Sequence, residues 1–259
     1  MGKKIVFCNC GGDIINRDRL QLIEGYCRQA NAEITKLSDL CGITALRDEQ
    51  LNGIFSKGNE YLMVGCYSRS LKLLLGGVIK PVDSISIQYL NFLEASNEQL
   101  FQEITSFVAN STQQQSFQEI DASTEWLSWF PVIDYSRCTA CGQCADFCLF
   151  GVYEKTQGQV LVVNPQGCKN NCPACARICP QTAIVFPKYK QGGAISGSEV
   201  IDELAEQKRQ VMDINSILGG DIYSALEQRK IKRQSIVRTE AMKKAMEERT
   251  QALKGSGTL

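Results

Sequence analysis

The chain has 259 residues, of which 44% are hydrophobic and 22% charged, and its 28 basic side chains balance its 28 acidic ones. This composition predicts a globular protein large enough for more than one domain, and without an apolar run of about 18 residues we expect no membrane span. Histidine is absent, which excludes His-ligated zinc, Rieske clusters and histidine-dependent nucleophiles.

Four apolar segments near the N-terminus have the composition of short β-strands, and helical segments separate them. The predicted strands are residues 4–8, 32–37, 61–66 and 85–88. Leu20, Ile23 and Cys27 recur at helical spacing and predict an amphipathic helix over residues 16–30. Because strands alternate with helices, we predict an α/β module with a small parallel sheet in residues 1–121.

Four cysteines lie at or just after the ends of the predicted strands. They are Cys8, Cys10, Cys41 and Cys66. Ligands of α/β sheets bind outside the carboxyl ends of the strands, so this placement favours a four-thiolate site at one edge of the sheet. The alternative is that small apolar side chains simply pack there, and spacing alone fits both interpretations. Cys27 lies on the apolar stripe of the first helix and is interpreted as a buried thiol.

Residues 93–122 are predicted to contain one helix followed by a polar connector. Ser96 and Gln99 have the spacing of a capping box, which indicates that the helix begins after Ser96. The connector leads into the cysteine-rich part of the chain.

Thirteen cysteines in a chain without an evident signal peptide favour metal binding over disulfides and predict a cytoplasmic location. Eight of them fall into two compact runs. The first run holds Cys138, Cys141, Cys144 and Cys148, and the second holds Cys168, Cys172, Cys175 and Cys179. The close spacing of the first three thiolates lets one loop wrap three corners of an iron-sulfur cubane.

Residues 130–188 resemble the bacterial dicluster ferredoxins, whose first run has the spacing C-x2-C-x2-C-x3-C. The resemblance implies two 4Fe-4S clusters, each held by three cysteines of one run and one of the other. One cluster would take Cys138, Cys141, Cys144 and Cys179, and the other Cys148, Cys168, Cys172 and Cys175. Pro180 matches the family's closing Cys-Pro.

The chain departs from the ferredoxin pattern at two places. Three residues rather than two separate Cys168 from Cys172, and Leu149 stands where the first run usually has proline. Neither change removes a thiolate. The alternative is a pair of zinc knuckles, although the triple spacing of the first run crowds a single zinc ion.

Short β-like segments with a glycine turn flank both cysteine runs, and a short helix is expected after each cysteine loop. This order predicts a pseudo-symmetric βαββαβ unit with two small hairpins. We assign this α+β dicluster ferredoxin domain to residues 122–189.

The strand-end cysteines lie in three segments that carry a second resemblance. The segments are VFCNCGGDI, LCGITALRDEQL and YLMVGCYSRSLKLLL. Over residues 3–80 they resemble the N-terminal domain of the heterodisulfide reductase A subunit, with Arg69 kept and Tyr67 and Ser68 in place of its Ser-Pro. The resemblance implies a third 4Fe-4S cluster on Cys8, Cys10, Cys41 and Cys66. No flavin fingerprint G-x-G-x-x-G follows any strand here.

Residues 190–259 are predicted to form a helical basic tail, which begins with a Gly-rich linker at residues 192–200. The helical pattern breaks at Gly219 and Gly220, and residues 229–254 hold nine basic side chains against three acidic ones. Its apolar stripe is thin, so the tail is either a solvated helix or a docking arm for a partner. No recognition motif supports nucleic-acid binding, and none is expected.

These patterns predict an iron-sulfur electron-transfer protein. We expect a relay subunit of a larger oxidoreductase related to heterodisulfide reductase, whose flavin or active-site subunits are separate chains. No paired carboxylates or nucleophile motif occur, so no catalytic residue is assigned. The alternative is a stand-alone redox or iron sensor, or an assembly factor, that uses the same clusters.

Overall fold

The computed structural model describes residues 2–46, 50–79, 84–111, 114–121 and 126–209. Met1–Gln207 form one compact unit, and Lys208–Leu259 form a second unit. The predicted tail elements around Gly219, Gly220 and residues 229–254 lie outside the described residues. None of the described helices is both long and apolar enough to cross a membrane. We call residues 2–121 the α/β half and residues 126–207 the cysteine-rich half of the first unit.

The α/β half is built on a five-stranded sheet in which every paired strand is parallel. Its strands are β1 (Lys3–Cys8), β2 (Glu33–Leu37), β3 (Glu60–Gly65), β4 (Ser86–Asn91) and β5 (Ser116–Ile120). The order across the sheet is β4-β3-β1-β2-β5. After β1 the chain continues to β2 on one side of the sheet, and after β3 it continues to β4 on the other side. The direction in which successive strands are added therefore reverses between β1 and β3. In parallel sheets, the crevice at such a reversal is where ligands bind.

Helices connect these strands, as the alternating pattern predicts. They are α1 (Arg17–Arg28), α2 (Leu40–Ala45), α3 (Gln50–Ile54), α4 (Ser68–Val78) and α5 (Asn97–Val108). Leu20, Ile23 and Cys27 are the buried face of α1, which confirms the predicted stripe. At α5 the Ser96 side chain accepts from the Gln99 backbone and the Gln99 side chain accepts in return, so the predicted capping box is confirmed.

The fifth strand, β5, lies in the segment that was predicted to be a polar connector, so sequence reasoning missed it. β5 has the sequence SFQEI, and its first four residues are exposed. An edge strand covered on neither face carries no apolar alternation, so the pattern gave no signal. The strand is fixed instead by parallel pairing with β2 and by Lys36, whose ammonium lies 3.1 Å from the Glu119 carboxylate.

The cysteine-rich half has the predicted βαββαβ order. Its elements are β6 (Val132–Ile133), α6 (Gln143–Phe147), β7 (Tyr153–Thr156), β8 (Gln159–Val162), α7 (Ala174–Arg177) and β9 (Ile184–Val185). β7 and β8 form an antiparallel hairpin, while β6 pairs with β9 across the whole unit rather than with a neighbour in sequence. A second, smaller core fills the space between them, with Trp129 stacked on Phe186 at 5.0 Å between ring centroids.

The Gly-rich segment after β9 packs into the fold, although a linker was predicted. It forms the short helix α8 (Gly193–Ser196), whose Ala194, Ile195 and Ser196 are buried. The Phe186 backbone donates to the Ile195 carbonyl at 2.6 Å, and the Ser70 hydroxyl donates to the Ser196 carbonyl at 2.6 Å. Small residues pack closely without a periodic apolar pattern, which is why the segment resembled a linker.

A buried arginine joins the two halves. Arg69, in the first turn of α4, donates from Nε to the Asp134 carboxylate at 2.9 Å. Its other nitrogens donate to the carbonyls of Thr182 at 3.0 Å and Ala194 at 3.3 Å. The side chains of Arg69 and Asp134 are only 10% and 9% exposed. One guanidinium therefore connects the start of α4 to three segments of the cysteine-rich half.

Candidate metal centres

The structure brings the four strand-end cysteines of the α/β half to one cavity. It is lined by Cys8, Cys10, Cys41 and Cys66. All four side chains are buried. The cavity lies at the carboxyl edge of the sheet, where β1 and β3 end beside each other and the strand order reverses. We call it the N-terminal site.

Local backbone geometry places each thiol at this edge. Cys8 ends β1, Cys41 lies in the first turn of α2, and Cys66 fills the turn between β3 and α4. Cys10 has φ 47°, which is left-handed and uncommon for a residue with a side chain. Such a conformation costs about 1–3 kcal/mol and clusters at functional sites. The sharp turn after β1 thus brings a second thiol back to the cavity.

Burial raises the pKa of all four thiols at the N-terminal site. The pKa of Cys8 reaches about 12, because the negative charge of Cys10 adds to the effect of burial. The pKa of Cys66 is raised well above its ordinary value by burial and then by Cys10 and Cys8. The thiols are therefore close enough to influence one another. Metal binding here must displace their protons, which makes the site pH-dependent.

Two charged side chains that sequence reasoning did not single out complete this cavity. Asp39 precedes α2 and Lys188 follows β9, and both line the wall beside the cysteines. The Lys188 ammonium lies 2.6 Å from Asp39 Oδ2 and donates to the Ser128 hydroxyl, which in turn donates to Asp39. A pair separated by 149 positions leaves no local pattern in the sequence.

A second cavity lies in the cysteine-rich half. It is lined by Cys138, Cys141, Cys144 and Cys179. The loop closes around it through left-handed residues at Ala140, with φ 56°, and Gly142, with φ 82°. The Ala183 backbone N–H donates to the Cys179 sulfur at 3.4 Å. The cavity thus collects the four cysteines that the ferredoxin pattern groups as one ligand set.

The remaining four cysteines also lie near one another. Burial, together with the neighbouring Cys172 and Cys148, raises the pKa of Cys168 to about 12. Burial raises the pKa of Cys175 to about 12, and Cys168 and Cys148 contribute to that rise. The Tyr153 hydroxyl lies 3.0 Å from the Cys175 sulfur and donates to it. Tyr153 was not predicted as a site residue, because a tyrosine in a short strand resembles ordinary packing.

The spacing of the thiols bears on which metal they suit. Among the described residues, no three cysteine, aspartate or glutamate side chains converge closely enough to hold a single metal ion. Four sulfurs around one zinc lie about 3.8 Å apart, because each Zn–S bond is about 2.3 Å. A cubane carries its thiolates on separate irons and so holds them further apart. The close spacing of three cysteines in the first run suits a cubane better than a single zinc ion.

Comparison with known families bears on the first cysteine run. Residues 131–151 match the family model for the 4Fe-4S binding domain. The chain contains a 4Fe-4S ferredoxin domain. The matched residues include the first cysteine run, and three of its members, Cys138, Cys141 and Cys144, line the cavity described above.

One curated relative is named as an uncharacterized ferredoxin, from Methanocaldococcus jannaschii. It is 41% identical over 75 residues, which are 29% of this chain and 51% of the relative. The match thus spans about half the length of that relative. No solved structure matches the chain. These comparisons agree with an iron-sulfur, ferredoxin-like electron carrier.

Proposed function

We propose that the protein is an electron-relay subunit of a larger oxidoreductase and that it holds three 4Fe-4S clusters. The observation that carries this proposal is the N-terminal site, where four buried cysteines from three strand ends line one cavity beside a ferredoxin domain. When bound, the clusters supply one-electron transfer, and the chain supplies thiolates, hydrogen bonds to sulfur and a dry shell.

Two clusters are assigned to the ferredoxin domain. The first takes Cys138, Cys141, Cys144 and Cys179, and the second takes Cys148, Cys168, Cys172 and Cys175. The shared cavity supports the first set, and the mutual effects of the thiols on their pKa values support the second. The βαββαβ order agrees with this dicluster arrangement.

The third cluster is assigned to Cys8, Cys10, Cys41 and Cys66. Both halves belong to one compact unit, and Lys188 of the cysteine-rich half reaches the wall of the N-terminal site. A shared rigid frame keeps redox centres at fixed separations, which a relay requires. The likeness to the heterodisulfide reductase A subunit suggests that flavin or active-site subunits are separate cytoplasmic chains. The positive excess of residues 229–254 suits binding to an acidic surface of such a partner.

Metal and sulfide analysis of anaerobically purified protein tests the cluster number. Three clusters require about twelve irons and two require about eight. Cys10→Ser and Cys66→Ser should each lower the iron content towards eight, because each removes a ligand of the N-terminal site, while the ferredoxin signals persist. Cys27→Ser is the matched control: its thiol is also buried, but it lies on α1 and does not line the cavity.

The opposite result is a wild-type protein that holds about eight irons while its N-terminal cysteines react with an alkylating reagent. That result would mean that the α/β half is only a structural or docking domain. Stable clusters through repeated reduction, together with copurification of an oxidoreductase, would support the relay. Reversible loss of one cluster with a change in partner affinity would instead support the redox or iron sensor. Zinc in place of iron would contradict both.

Tyr153→Phe should lower the reduction potential of the second ferredoxin cluster. The hydroxyl donates to the Cys175 sulfur, and a donor to sulfur stabilises the extra negative charge of the reduced cluster. A hydrogen bond worth about 1 kcal/mol corresponds to a few tens of millivolts for one electron. The measurement is a redox titration followed by electron paramagnetic resonance. Tyr135→Phe is the control, because its hydroxyl donates to the Val160 carbonyl instead; equal shifts in both variants would contradict the prediction.

A further inference from the structure

Lys188 places a buried positive charge beside the N-terminal cysteines, although it belongs to the other half of the unit. Its side chain is only 5% exposed, and it lines the same cavity as all four thiols, next to Pro187. A lysine this buried is rare unless it is paired, because removing an ammonium from water is costly. The position of this charge therefore needs an explanation beyond chain packing.

The ion pair between Lys188 and Asp39 leaves one carboxylate oxygen without a hydrogen bond. Its ammonium contacts Asp39 Oδ2 at 2.6 Å and the Ser128 hydroxyl. Asp39 Oδ1 is buried and has no hydrogen-bond partner among the described residues. An ion pair that served only to join the halves would be better satisfied. Here both partners instead line a cavity that also holds the four thiols and apolar side chains such as Leu71 and Phe92.

Charges around Lys188 keep it protonated. Its ammonium lies 2.6 Å from the Asp39 carboxylate, and this ion pair offsets the cost of burying the positive charge. The lysine is thus a fixed positive charge, and Asp39, adjacent to it, is the opposing negative charge. The remaining charged neighbour of the thiols is Arg17, which acts on Cys10.

A cubane held by four thiolates is negatively charged, and reduction adds one further negative charge without making or breaking a bond. In the cavity the surroundings are poorly polarisable, so a nearby charge acts strongly. A positive charge favours the reduced state and raises the reduction potential. A negative charge has the opposite effect. The electron comes from a low-potential one-electron reductant, and no proton needs to move.

We propose that Lys188 raises the reduction potential of the N-terminal cluster and that Asp39 opposes it. The proposal rests on the third cluster of the proposed function. It also makes the potential of that cluster depend on the position of the cysteine-rich half, since Lys188 is delivered by the segment after β9. Lys188 is a tuning residue and not a ligand.

The test is a redox titration of the full-length, anaerobically purified protein with dithionite, followed by electron paramagnetic resonance. The signal of the N-terminal cluster is identified as the one absent from Cys66→Ser. Lys188→Met should make its midpoint more negative by about 59 mV, a tenfold change in the ratio of reduced to oxidised cluster. Asp39→Asn should move it in the opposite direction, and Lys188→Arg should leave it close to wild type.

Lys190→Met is the matched control. Lys190 lies two residues away, is 62% exposed and is 3.7 Å from Asp13, so its removal should shift no midpoint. The two ferredoxin signals should stay unchanged in every variant. Opposite shifts from Lys188→Met and Asp39→Asn are the signature of a charge effect, because damage to packing has no reason to reverse its sign.

Three results would overturn the proposal. Unchanged midpoints, or shifts in the same direction, with full iron content would make the pair structural only. If Lys188→Met loses the N-terminal iron, the test rests on Asp39→Asn. An unchanged midpoint of the N-terminal cluster in Asp39→Asn then rejects the tuning role. A wild-type protein with about eight irons and no signal that depends on Cys66 would reject the third cluster itself, and the charge effect with it.

Discussion

Replacing Arg69 with methionine should lower the free energy of unfolding by about 3–5 kcal/mol, because it leaves the Asp134 carboxylate buried without its partner. The same change removes the donors to the carbonyls of Thr182 and Ala194. The measurement is chemical denaturation of cluster-loaded protein under anaerobic conditions. Methionine keeps the length of the side chain, so little of the loss comes from a cavity.

Lys72→Met is the control for this prediction, because Lys72 also lies on α4. Its ion pair with Glu199 is 2.5 Å long, but the two side chains are 52% and 54% exposed. Removing an exposed pair should cost less than about 1 kcal/mol. Equal losses in the two variants would mean that Arg69 does not hold the halves together.

Acid should weaken the same connection. Burial pushes the pKa of Asp134 upwards, but hydrogen bonds from Ser136 and the charge of Arg69 outweigh this and hold it below the ordinary value of 3.8. The stability that Asp134 contributes is therefore fully present above pH 3.8 and is lost as the pH falls through the lowered pKa. Arg69→Met should reduce this part of the acid sensitivity.

Removing iron anaerobically should make residues 130–188 sensitive to proteases while the five-stranded sheet remains resistant. β6 and β9 are two residues long each, and β7 and β8 are four. Such short strands contribute little stability, so metal binding supplies much of the folding free energy. Mass spectrometry of limited digests, taken with and without an iron chelator, locates the cuts. Equal protection of both halves after iron loss would contradict this.

The sequence predicts most of the fold because its main signals are local. Alternating strands and helices predict the parallel sheet, and the spacing of Ser96 and Gln99 predicts the start of α5. β5 was missed because a polar edge strand is specified by pairing with β2 and not by its own pattern. α8 was missed because its small residues carry no periodic apolar pattern and one of them, Ser196, pairs with Ser70, which lies 126 positions away.

The cysteines of the candidate sites were also accessible from the sequence, since strand ends and short spacings define them. Their surroundings were not. Lys188 and Asp39 meet across 149 positions, and Tyr153 lies 22 positions from Cys175. Contacts of this kind depend on how the two halves pack, and no short stretch of sequence encodes that packing.

The mixed origin of the N-terminal cavity has a consequence for biosynthesis. The ribosome makes Cys8, Cys10, Cys41 and Cys66 early, but the wall that contains Pro187 and Lys188 is made more than a hundred residues later. Until then the nascent sheet edge presents its thiols to the cell without that cover. For the proposed third cluster, iron-sulfur delivery is therefore expected to follow translation of the last ferredoxin strand.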